Sequence, residues 1–515
     1  MTLLSLFLFS CVAVRYVYSL DAIGNGLLVE TQQGLASGTF ASPTVRQFLG
    51  IPYASAQRWE APVKPPKRTA VLSASSFSDT CVQSLTPGAL EFLVLAGGQG
   101  INIPESENCL TVNIWAPSVT RKQNTAVLLW VYGGSFQFGS SNIPSYDGQN
   151  FVRDNADITL VTFNYRLNIF GQPNSPQLAS KTVSQNFGLL DLDAAVQWVH
   201  DNIGAFGGDP DRISLFGQSA GSVAVDAYTF AHPQDTIVKG VIEQSGNLAL
   251  ASGLGSASLN GTSWNTVAGN VGCGSTPDAA QFACMKAVPF RKLENAVTNG
   301  NVTFGPLTDN ITIFSDTSVR AATGNFLKVP VLGGSTLNEG DIFVVAAELV
   351  ATGITLPFVT EVLADIETLV TFTCPAGAAA QERLNAKVPT WRYQYQAVFP
   401  DISSRPDLRA YHASEIPIVF GTYNTSTLAP PTSNEVALSK YVQAAWVAFA
   451  RNPSQGLLNF GWPLYNPATA SLAQLGNTAN ATGASFTQGA LVDLTCGAAP
   501  QLVAFSNQLL GFVTQ

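Results

Sequence analysis

One short stretch of the chain places a serine where a catalytic nucleophile would stand. Ser219 is the centre of the pentapeptide GQSAG (217–221), which follows an apolar run and precedes a run of small residues. In a nucleophile elbow, such a serine lies on a sharp turn between a buried strand and a helix, and the flanking glycines leave room for the turn. The alternative is an inert turn of small residues, and the rest of the chain must decide between the two.

A base is needed next, because a serine hydroxyl is a weak nucleophile until a neighbouring group takes its proton. The chain has three histidines, His200, His232 and His412. His200 precedes the serine and ends a predicted helix, and His232 follows the serine closely. His412 fits the chain order nucleophile, acid, base that accompanies an elbow of this type. The sequence therefore predicts His412 as the base.

A carboxylate must then orient the histidine and stabilise its protonated form. The segment VPVLGGSTLNEGDIF (329–343) offers Glu339 and Asp341 directly after a predicted strand. The two acids are so close along the chain that spacing alone leaves both open.

The glycines of LLWVYGGSFQFGS (128–140) follow another apolar run. Gly133 and Gly134 would let the backbone approach a substrate, so that N–H groups of this loop could stabilise an oxyanion. No G-x-x-x-x-G-K-[ST] pattern is present in the sequence, which argues against a phosphate-binding loop. Without the serine elbow, this segment would read equally well as a simple glycine turn.

The elements that must position these groups follow from the hydrophobic pattern. Short apolar runs predict strands at 126–131, 158–163, 213–216 and 329–333, and apolar residues at helical spacing predict helices at 189–202, 221–230 and 440–451. Residues 22–45 have the pattern of a hairpin. Strands that alternate with helices predict an α/β fold with a mostly parallel sheet.

Taken together, the motifs of the chain resemble those of the type-B carboxylesterase/lipase family, which includes cholinesterases and fungal lipases. The matching segments, from about residue 27 to the C-terminus, are FLGIPYA (48–54), SENCLTVNIW (106–115), WVYGGSF (130–136), NYRLNIFG (164–171), NFGLLDLDAAVQWVHDNIGAFGGDP (186–210), FGQSAGS (216–222), NEGDIF (338–343), YHASEIPIVFG (411–421) and GWPLY (461–465). The resemblance implies an α/β-hydrolase fold: a large central, mostly parallel sheet flanked by helices, with loop and helical excursions that form a gorge or lid.

The resemblance also implies roles for particular residues. The family acid is a glutamate in an N-E-G-like context, which selects Glu339 over Asp341, and the family histidine corresponds to His412. The oxyanion hole corresponds to the backbone N–H groups of Gly134, Ser135 and Ala220. No cofactor and no metal are implied.

The chain has seven cysteines, and Cys11 lies in an N-terminal segment with the pattern of a cleaved secretory signal peptide. The other six are an even number, which in a secreted chain predicts disulfides. The resemblance implies three pairs, Cys81–Cys109, Cys273–Cys284 and Cys374–Cys496. No cysteine or histidine spacing suggests a zinc site.

Three positions depart from the family pattern. Ser135 stands where a third glycine is usual, and Gln218 stands where glutamate often precedes the serine. The loop between Cys81 and Cys109 contains no tryptophan, which argues against a choline ester, because cholinesterases bind choline against a tryptophan face in this loop. It carries instead ALEFLVLAGG (89–98), an apolar run that would form a lid or pocket wall, or else pack against the body of the protein.

The N-terminus predicts a secretory signal peptide over 1–19, with cleavage after Ser19, followed by a single catalytic domain over 20–515. We therefore expect a secreted, extracellular protein without a transmembrane segment. Five N-x-[ST] sequons are candidate glycosylation sites, at Asn260, Asn301, Asn310, Asn424 and Asn480. The net charge of −9, without a basic patch, argues against nucleic-acid partners.

These observations predict a secreted serine carboxylic ester hydrolase that cleaves a small-molecule ester through an acyl-enzyme intermediate. If the substrate is a lipid, we expect the enzyme to act at a lipid interface. The apolar loop favours apolar acyl, lipid or sterol-type esters, and a feruloyl or small-ester esterase is the alternative. A non-catalytic adhesion protein of the same family is a further alternative, disfavoured because Ser219, Glu339 and His412 are all present.

Overall fold

A large sheet carries the candidate site, and the computed structural model describes it within residues 24–251, 259–425 and 428–505. The strands are β1 (Leu28–Thr31), β2 (Gly34–Ser37), β3 (Thr39–Ser42), β4 (Val45–Pro52), β5 (Leu72–Ser73), β6 (Thr111–Pro117), β7 (Thr125–Val131), β8 (Ile158–Phe163), β9 (Gly208–Gln218), β10 (Val238–Gln244), β11 (Val331–Thr336), β12 (Thr390–Tyr395), β13 (Ala470–Asn477) and β14 (Asn480–Gln488).

Eleven of these strands form one sheet, in the order β14-β13-β12-β11-β10-β9-β7-β8-β6-β4-β3. The seven strands from β13 to β8 in this order run parallel to one another, whereas β14, β6, β4 and β3 pair antiparallel at the two edges. Strands β7 and β8 are buried along their whole length, as expected for apolar strands covered on both faces. The sheet is mixed, with the parallel strands at its centre.

The helices are α1 (Pro87–Leu95), α2 (Gln149–Asp154), α3 (Asn168–Gly171), α4 (Phe187–Asn202), α5 (Ala220–Ala231), α6 (Leu248–Ala251), α7 (Thr262–Asn270), α8 (Ala279–Ala287), α9 (Phe290–Asn299), α10 (Thr317–Thr323), α11 (Asp341–Thr352), α12 (Pro357–Glu367), α13 (Cys374–Asn385), α14 (Ile416–Phe420), α15 (Ser433–Arg451), α16 (Gly456–Phe460) and α17 (Gly489–Val492). A π-helical turn at Thr368–Thr373 joins α12 to α13.

The sequence predictions of these elements hold, with shifted boundaries. The strand predicted at 329–333 is β11, which begins two residues later and continues to Thr336. The predicted N-terminal hairpin is the antiparallel pair β1–β2, which β5 extends into a small separate sheet. The antiparallel edges of the main sheet carry no local sequence signal, because the direction of a strand depends on its distant partners.

The structure contains the three disulfides that the resemblance implies, Cys81–Cys109, Cys273–Cys284 and Cys374–Cys496. The first closes the loop that contains α1, and the third joins the start of α13 to the segment after α17. The predicted signal peptide lies outside the described residues.

Within the described ranges, one helical run, Pro357–Asn385, is long and apolar enough to cross a membrane by length and composition alone. Core helices of globular proteins have the same length and composition, so this run is weak evidence for a membrane span. The absence of a transmembrane segment therefore stays a prediction.

Candidate active site

Ser219 occupies the turn between β9 and α5, as the elbow pattern predicts. Its backbone has φ 56° and ψ −127°, a region that non-glycine residues adopt at a cost of about 1–3 kcal/mol. Its N–H donates to the carbonyl of Gln244 on the next strand at 2.9 Å, which holds the turn against the sheet. The hydroxyl makes no hydrogen bond to the described residues and faces a cavity.

The glycines of the elbow are required by close approach. A Cβ on Gly221 would lie 2.0 Å from the carbonyl oxygen of Val131, and one on Gly217 would lie 2.5 Å from the carbonyl oxygen of Gly221. Both contacts are with backbone atoms that cannot swing away. The turn can therefore be this tight only without those side chains.

His412 and Glu339 meet beside the elbow, although 73 positions separate them in the chain. His412 Nδ1 lies 2.5 Å from Glu339 Oε2, and the other carboxylate oxygen accepts the Thr336 N–H at 2.6 Å. Both side chains are almost fully buried. The Asn338 N–H donates to the carbonyl of Ala410 at 3.0 Å, and this bond joins the turn that carries Glu339 to the loop that carries His412.

Asp341, the acid that spacing could not exclude, has a different partner. Its carboxylate accepts from Arg409 Nη2 at 2.7 Å, Arg409 Nε at 3.0 Å and the Arg409 backbone N–H at 2.9 Å. Arg409 also contacts Glu361 and Asp365. Asp341 therefore anchors the loop that carries His412, while Glu339 contacts the imidazole.

The other two histidines lie away from the serine. His232 Nε2 is 2.8 Å from Asp193 Oδ1, and His200 Nδ1 is 3.6 Å from Asp201. Of the three histidines, the structure places only His412, the one that the chain order selected, beside the serine elbow.

Aromatic rings enclose the His412 imidazole on its other sides. Phe343 of α11 and Phe372 of the π-helical turn each have ring centroids 4.9 Å from it, and Phe92 of α1 lies at 6.5 Å. These rings keep water from the His412–Glu339 pair, and a low local dielectric strengthens that hydrogen bond.

The glycine loop after β7 lies opposite the elbow. Gly134, Ser135 and Phe136 all have positive φ, at 108°, 54° and 60°. The backbone N–H groups of Gly134, Ser135 and Ala220 make no hydrogen bond within the described part of the chain. Free amides at the start of a helix and in such a loop are available to an anionic oxygen.

Gln137 fixes the shape of this loop. Its Nε2 donates to the carbonyls of Ser135 at 3.1 Å and Phe304 at 2.6 Å, and its Oε1 accepts the Phe304 N–H at 3.2 Å. The Ser135 hydroxyl has no partner among the described residues. Ser135 therefore replaces the usual glycine without loss of the backbone donor and adds a free hydroxyl at the cavity.

A cavity of about 330 Å³ opens above Ser219 and His412. Its walls combine apolar side chains with a few polar groups, namely Ala89, Phe92, Leu93, Phe138, Ile143, Tyr146, Phe343, Ile416 and Pro417 together with Ser84, Thr86, Gln99, Ser145, Thr303 and Tyr411. This size and mixture are typical of a site for a small, mostly apolar molecule.

Helix α1 is formed by the apolar run of the Cys81–Cys109 loop. Thr86 caps its first turn by accepting the Ala89 N–H, and Pro87 begins it. Phe92 lies over Phe343 of α11, with ring centroids 5.5 Å apart, while Val94 on the opposite side is exposed. The run is therefore a wall of the cavity, and its opening as a lid stays a prediction.

Sequence reasoning missed a buried polar network behind the histidine. Glu415 Oε1 accepts from Gln244 Nε2 at 3.1 Å, and Gln244 Oε1 accepts from Trp446 Nε1 at 3.0 Å. Burial, and then the charge of Glu339, raise the pKa of Glu415 to about 7. Glu415 follows His412 by three positions, but its partner Gln244 is 171 positions away along the chain and Trp446 lies on the separate helix α15, so no local pattern could reveal this network.

This raised pKa predicts a pH-dependent effect of Glu415→Gln. Between about pH 4.5 and 7 the folded protein holds a proton on Glu415 that the unfolded chain has released, so the free energy of unfolding falls progressively as pH rises across this range. We expect the variant to match the wild type at pH 4 and to exceed it by about 2–3 kcal/mol at pH 8. Urea unfolding at both pH values measures the difference, with Glu30→Gln on the exposed surface as control. A difference that is the same at both pH values would contradict the assignment.

No group of three or more His, Cys, Asp or Glu side chains that could hold a metal occurs in the described residues. Four sequon asparagines, Asn260, Asn301, Asn310 and Asn424, are exposed. Asn480 is half-buried, and its Nδ2 donates to the Ala484 carbonyl at 3.0 Å.

Comparisons with known proteins agree with this geometry. A sequence model of the carboxylesterase family matches residues 25–353 and 355–491. Secreted lipase 5 of Gibberella zeae is 35% identical over 85% of this chain and 87% of its own length. Chlorogenic acid esterase of Aspergillus niger is 33% identical over 85% of this chain and 85% of its own length.

A solved structure of a PNB esterase superposes on this fold with a TM-score of 0.70 at 27% identity, and the match covers 90% of this chain and 97% of that chain. The α/β-hydrolase fold that the resemblance implied is thereby confirmed. The chain belongs to the carboxylesterase family and is a carboxylic ester hydrolase.

Proposed function

We propose that the protein is a secreted serine esterase that hydrolyses apolar esters through an acyl-enzyme intermediate. The observation that carries the proposal is the position of His412, bonded to Glu339 on one side and next to the serine elbow on the other, at the base of an apolar cavity. Ser219 is the nucleophile, His412 the general base and Glu339 the orienting acid.

The chemistry follows from the atoms present. His412 Nδ1 gives its hydrogen to the Glu339 carboxylate, so Nε2 keeps a lone pair for the Ser219 proton. Ser219 Oγ attacks the ester carbonyl, and the negative charge that develops on the carbonyl oxygen is met by the N–H groups of Gly134, Ser135 and Ala220. His412 then returns the proton to the leaving alcohol. Water repeats the sequence on the acyl-enzyme and releases the acid.

The composition of the cavity supports an apolar substrate. Phe92, Leu93, Phe138 and Ile143 contribute apolar side chains to its wall, and the described residues that line it include no Asp, Glu, Lys or Arg. The described residues 81–109 hold no tryptophan face for a quaternary ammonium group. We therefore propose apolar acyl, lipid or sterol-type esters as the substrate class, met in solution or at a lipid interface.

A feruloyl or small phenolic ester is a second candidate. Hydroxyl and amide groups at the cavity, such as Ser135, Ser145 and Gln99, could bind a phenol. The relative in Aspergillus niger is named a chlorogenic acid esterase. The free hydroxyl of Ser135 is the feature of this chain that most favours this alternative.

Secretion and glycosylation belong to the same proposal. Three disulfides are typical of proteins in oxidising compartments, and one relative is named a secreted lipase. We propose that residues 1–19 are a signal peptide, that 20–515 form one catalytic domain, and that glycans are carried on exposed sequons rather than on the half-buried Asn480.

Hydrolysis of p-nitrophenyl esters from acetate to palmitate, together with methyl ferulate and chlorogenate, tests the proposal. We expect kcat/KM to rise with acyl length to an optimum beyond acetate and to exceed that for both phenolic esters. Activity confined to acetate would contradict the apolar class, and a preference for ferulate or chlorogenate would favour the alternative. A fluorophosphonate should label the peptide that contains Ser219, and labelling of a different peptide would contradict the mechanism.

A further inference from the structure

The side chain that precedes the nucleophile makes an unexpected contact. Gln218 Nε2 lies 3.0 Å from His412 Nε2, the imidazole atom that must accept the serine proton. Gln218 is almost fully buried. The imidazole is therefore bonded at both nitrogens in the free enzyme, to Glu339 at Nδ1 and to Gln218 at Nε2.

The direction of this hydrogen bond follows from the other one. Because Nδ1 carries the hydrogen that is donated to Glu339, Nε2 of a neutral imidazole is an acceptor only, and the Gln218 amide must donate. A protonated imidazole would carry hydrogen on both nitrogens and would face the N–H group of the amide. The contact as it stands therefore favours the neutral form.

The backbone around the contact keeps Gln218 in place. A Cβ on Gly133 would lie 2.9 Å from Gln218 Oε1 and 2.9 Å from Ser219 Cβ, so the glycine loop has room for the amide only because residue 133 has no side chain. The same Cβ on Gly133 would lie 2.8 Å from the backbone carbonyl oxygen of Gln218. The loop that supplies the proposed oxyanion donors thus also limits how far the amide can move.

Few other charges act on the imidazole. The Glu339 carboxylate contacts it directly, and Glu415 is a second acidic neighbour that is neutral at lower pH, because burial raises its pKa to about 7. Helix α1, helix α11 and the π-helical turn place phenylalanine rings against it, and Asp341 at the start of α11 is paired with Arg409. A change of charge at residue 218 would therefore act on His412 with little screening.

We propose that Gln218 is a positioning residue that holds His412 in its neutral, Nδ1-protonated form in the free enzyme and so extends catalysis to lower pH. The Ser219 hydroxyl replaces the amide at Nε2 when a substrate is bound and the serine attacks. An amide suits this task because it donates without charge, whereas a carboxylate at this position would accept from, and stabilise, the protonated imidazole. The inference rests on the proposed function, in which His412 is the base.

The acid limb of the kcat/KM profile tests this proposal, because that profile reports ionisations of the free enzyme. Gln218→Met keeps the length of the side chain but removes the donor. We expect the midpoint of the limb to rise by about 0.5 pH unit, the size expected of one neutral hydrogen bond to one protonation state. Gln218→Glu should raise it by about 1 unit or more, because an opposite charge then touches the imidazole.

Gln381→Glu is the matched control. Gln381 is exposed on α13, outside the cavity, and its amide donates to Asn385 Oδ1 at 2.9 Å. We expect its midpoint to stay near that of the wild type. Coincident midpoints for wild type, Gln218→Met and Gln218→Glu, or an equal shift in Gln381→Glu, would overturn the proposal.

Two further measurements keep the result interpretable. Gln218→Glu preserves the shape of the side chain, so it tests the proposal alone if Gln218→Met fails to fold in a thermal unfolding scan. Turnover of p-nitrophenyl butyrate that persists in Ser219→Ala would refute the proposed function itself. Coincident midpoints in an enzyme that Ser219→Ala inactivates would refute only the role of Gln218.

Discussion

Ser219→Ala should lower kcat for p-nitrophenyl butyrate by about 10⁵- to 10⁶-fold, the loss that follows when the nucleophile of a serine hydrolase is removed. The hydroxyl has no hydrogen-bonding partner among the described residues, so its removal leaves no buried group unsatisfied. Alanine must adopt the same positive φ of 56° as serine. The midpoint of thermal unfolding should therefore stay unchanged while activity is lost.

Ser222→Ala is the control for this variant. Ser222 lies one helical turn further along α5, and its hydroxyl donates to the Gly246 carbonyl at 2.7 Å, outside the cavity. Its kcat should remain close to that of the wild type, with at most a modest loss of stability. Turnover by Ser219→Ala that approaches that of Ser222→Ala would refute the acyl-enzyme mechanism.

The elbow could be predicted from the sequence because its determinants are local. A buried strand, two glycines and a serine within a few positions define the turn, and the close approaches of Gly217 and Gly221 to backbone atoms explain why both are glycine. Strands such as β7 and β8 could also be predicted from the sequence, because a strand buried on both faces is a continuous apolar run.

The choice of acid shows where local reasoning ends. Glu339 and Asp341 follow the same strand and have the same chemistry, and only contacts over some 70 positions distinguish them. The family resemblance selected Glu339, and the contact with His412 agrees with that selection. Spacing could not have shown that Asp341 is satisfied by Arg409.

The contacts of Gln218 and Glu415 were beyond prediction for the same reason. Gln218 could be recognised as a departure from the family pattern, but its amide meets His412 across 194 positions of sequence. Glu415 looks like an ordinary polar residue of a loop, and only the packing of Gln244 and Trp446 shows that it is buried. Tertiary packing, rather than any motif, decides the protonation of such groups.

Glu339→Gln should lower kcat by about 10³- to 10⁴-fold, although the two side chains have nearly the same shape. The Thr336 N–H donates to Glu339 Oε1 at 2.6 Å, so the amide oxygen of glutamine must stay at that position. The amide NH₂ then faces His412 Nδ1, which becomes the acceptor. The hydrogen of the neutral imidazole then lies on Nε2, and Nε2 can no longer accept the proton of Ser219.

Asp341→Asn is the matched comparison, since it makes the same chemical change two residues away. Its expected effect is on stability, a loss of about 2 kcal/mol, because Arg409 loses a buried carboxylate but keeps Glu361 and Asp365. Its loss of kcat should be far smaller than that of Glu339→Gln. Steady-state kinetics and urea unfolding of both variants separate the two roles. Tautomer control requires direct contact with Nδ1, which among the described residues Glu339 alone makes. An inactive Asp341→Asn variant would therefore contradict the assignment of Glu339 as the acid.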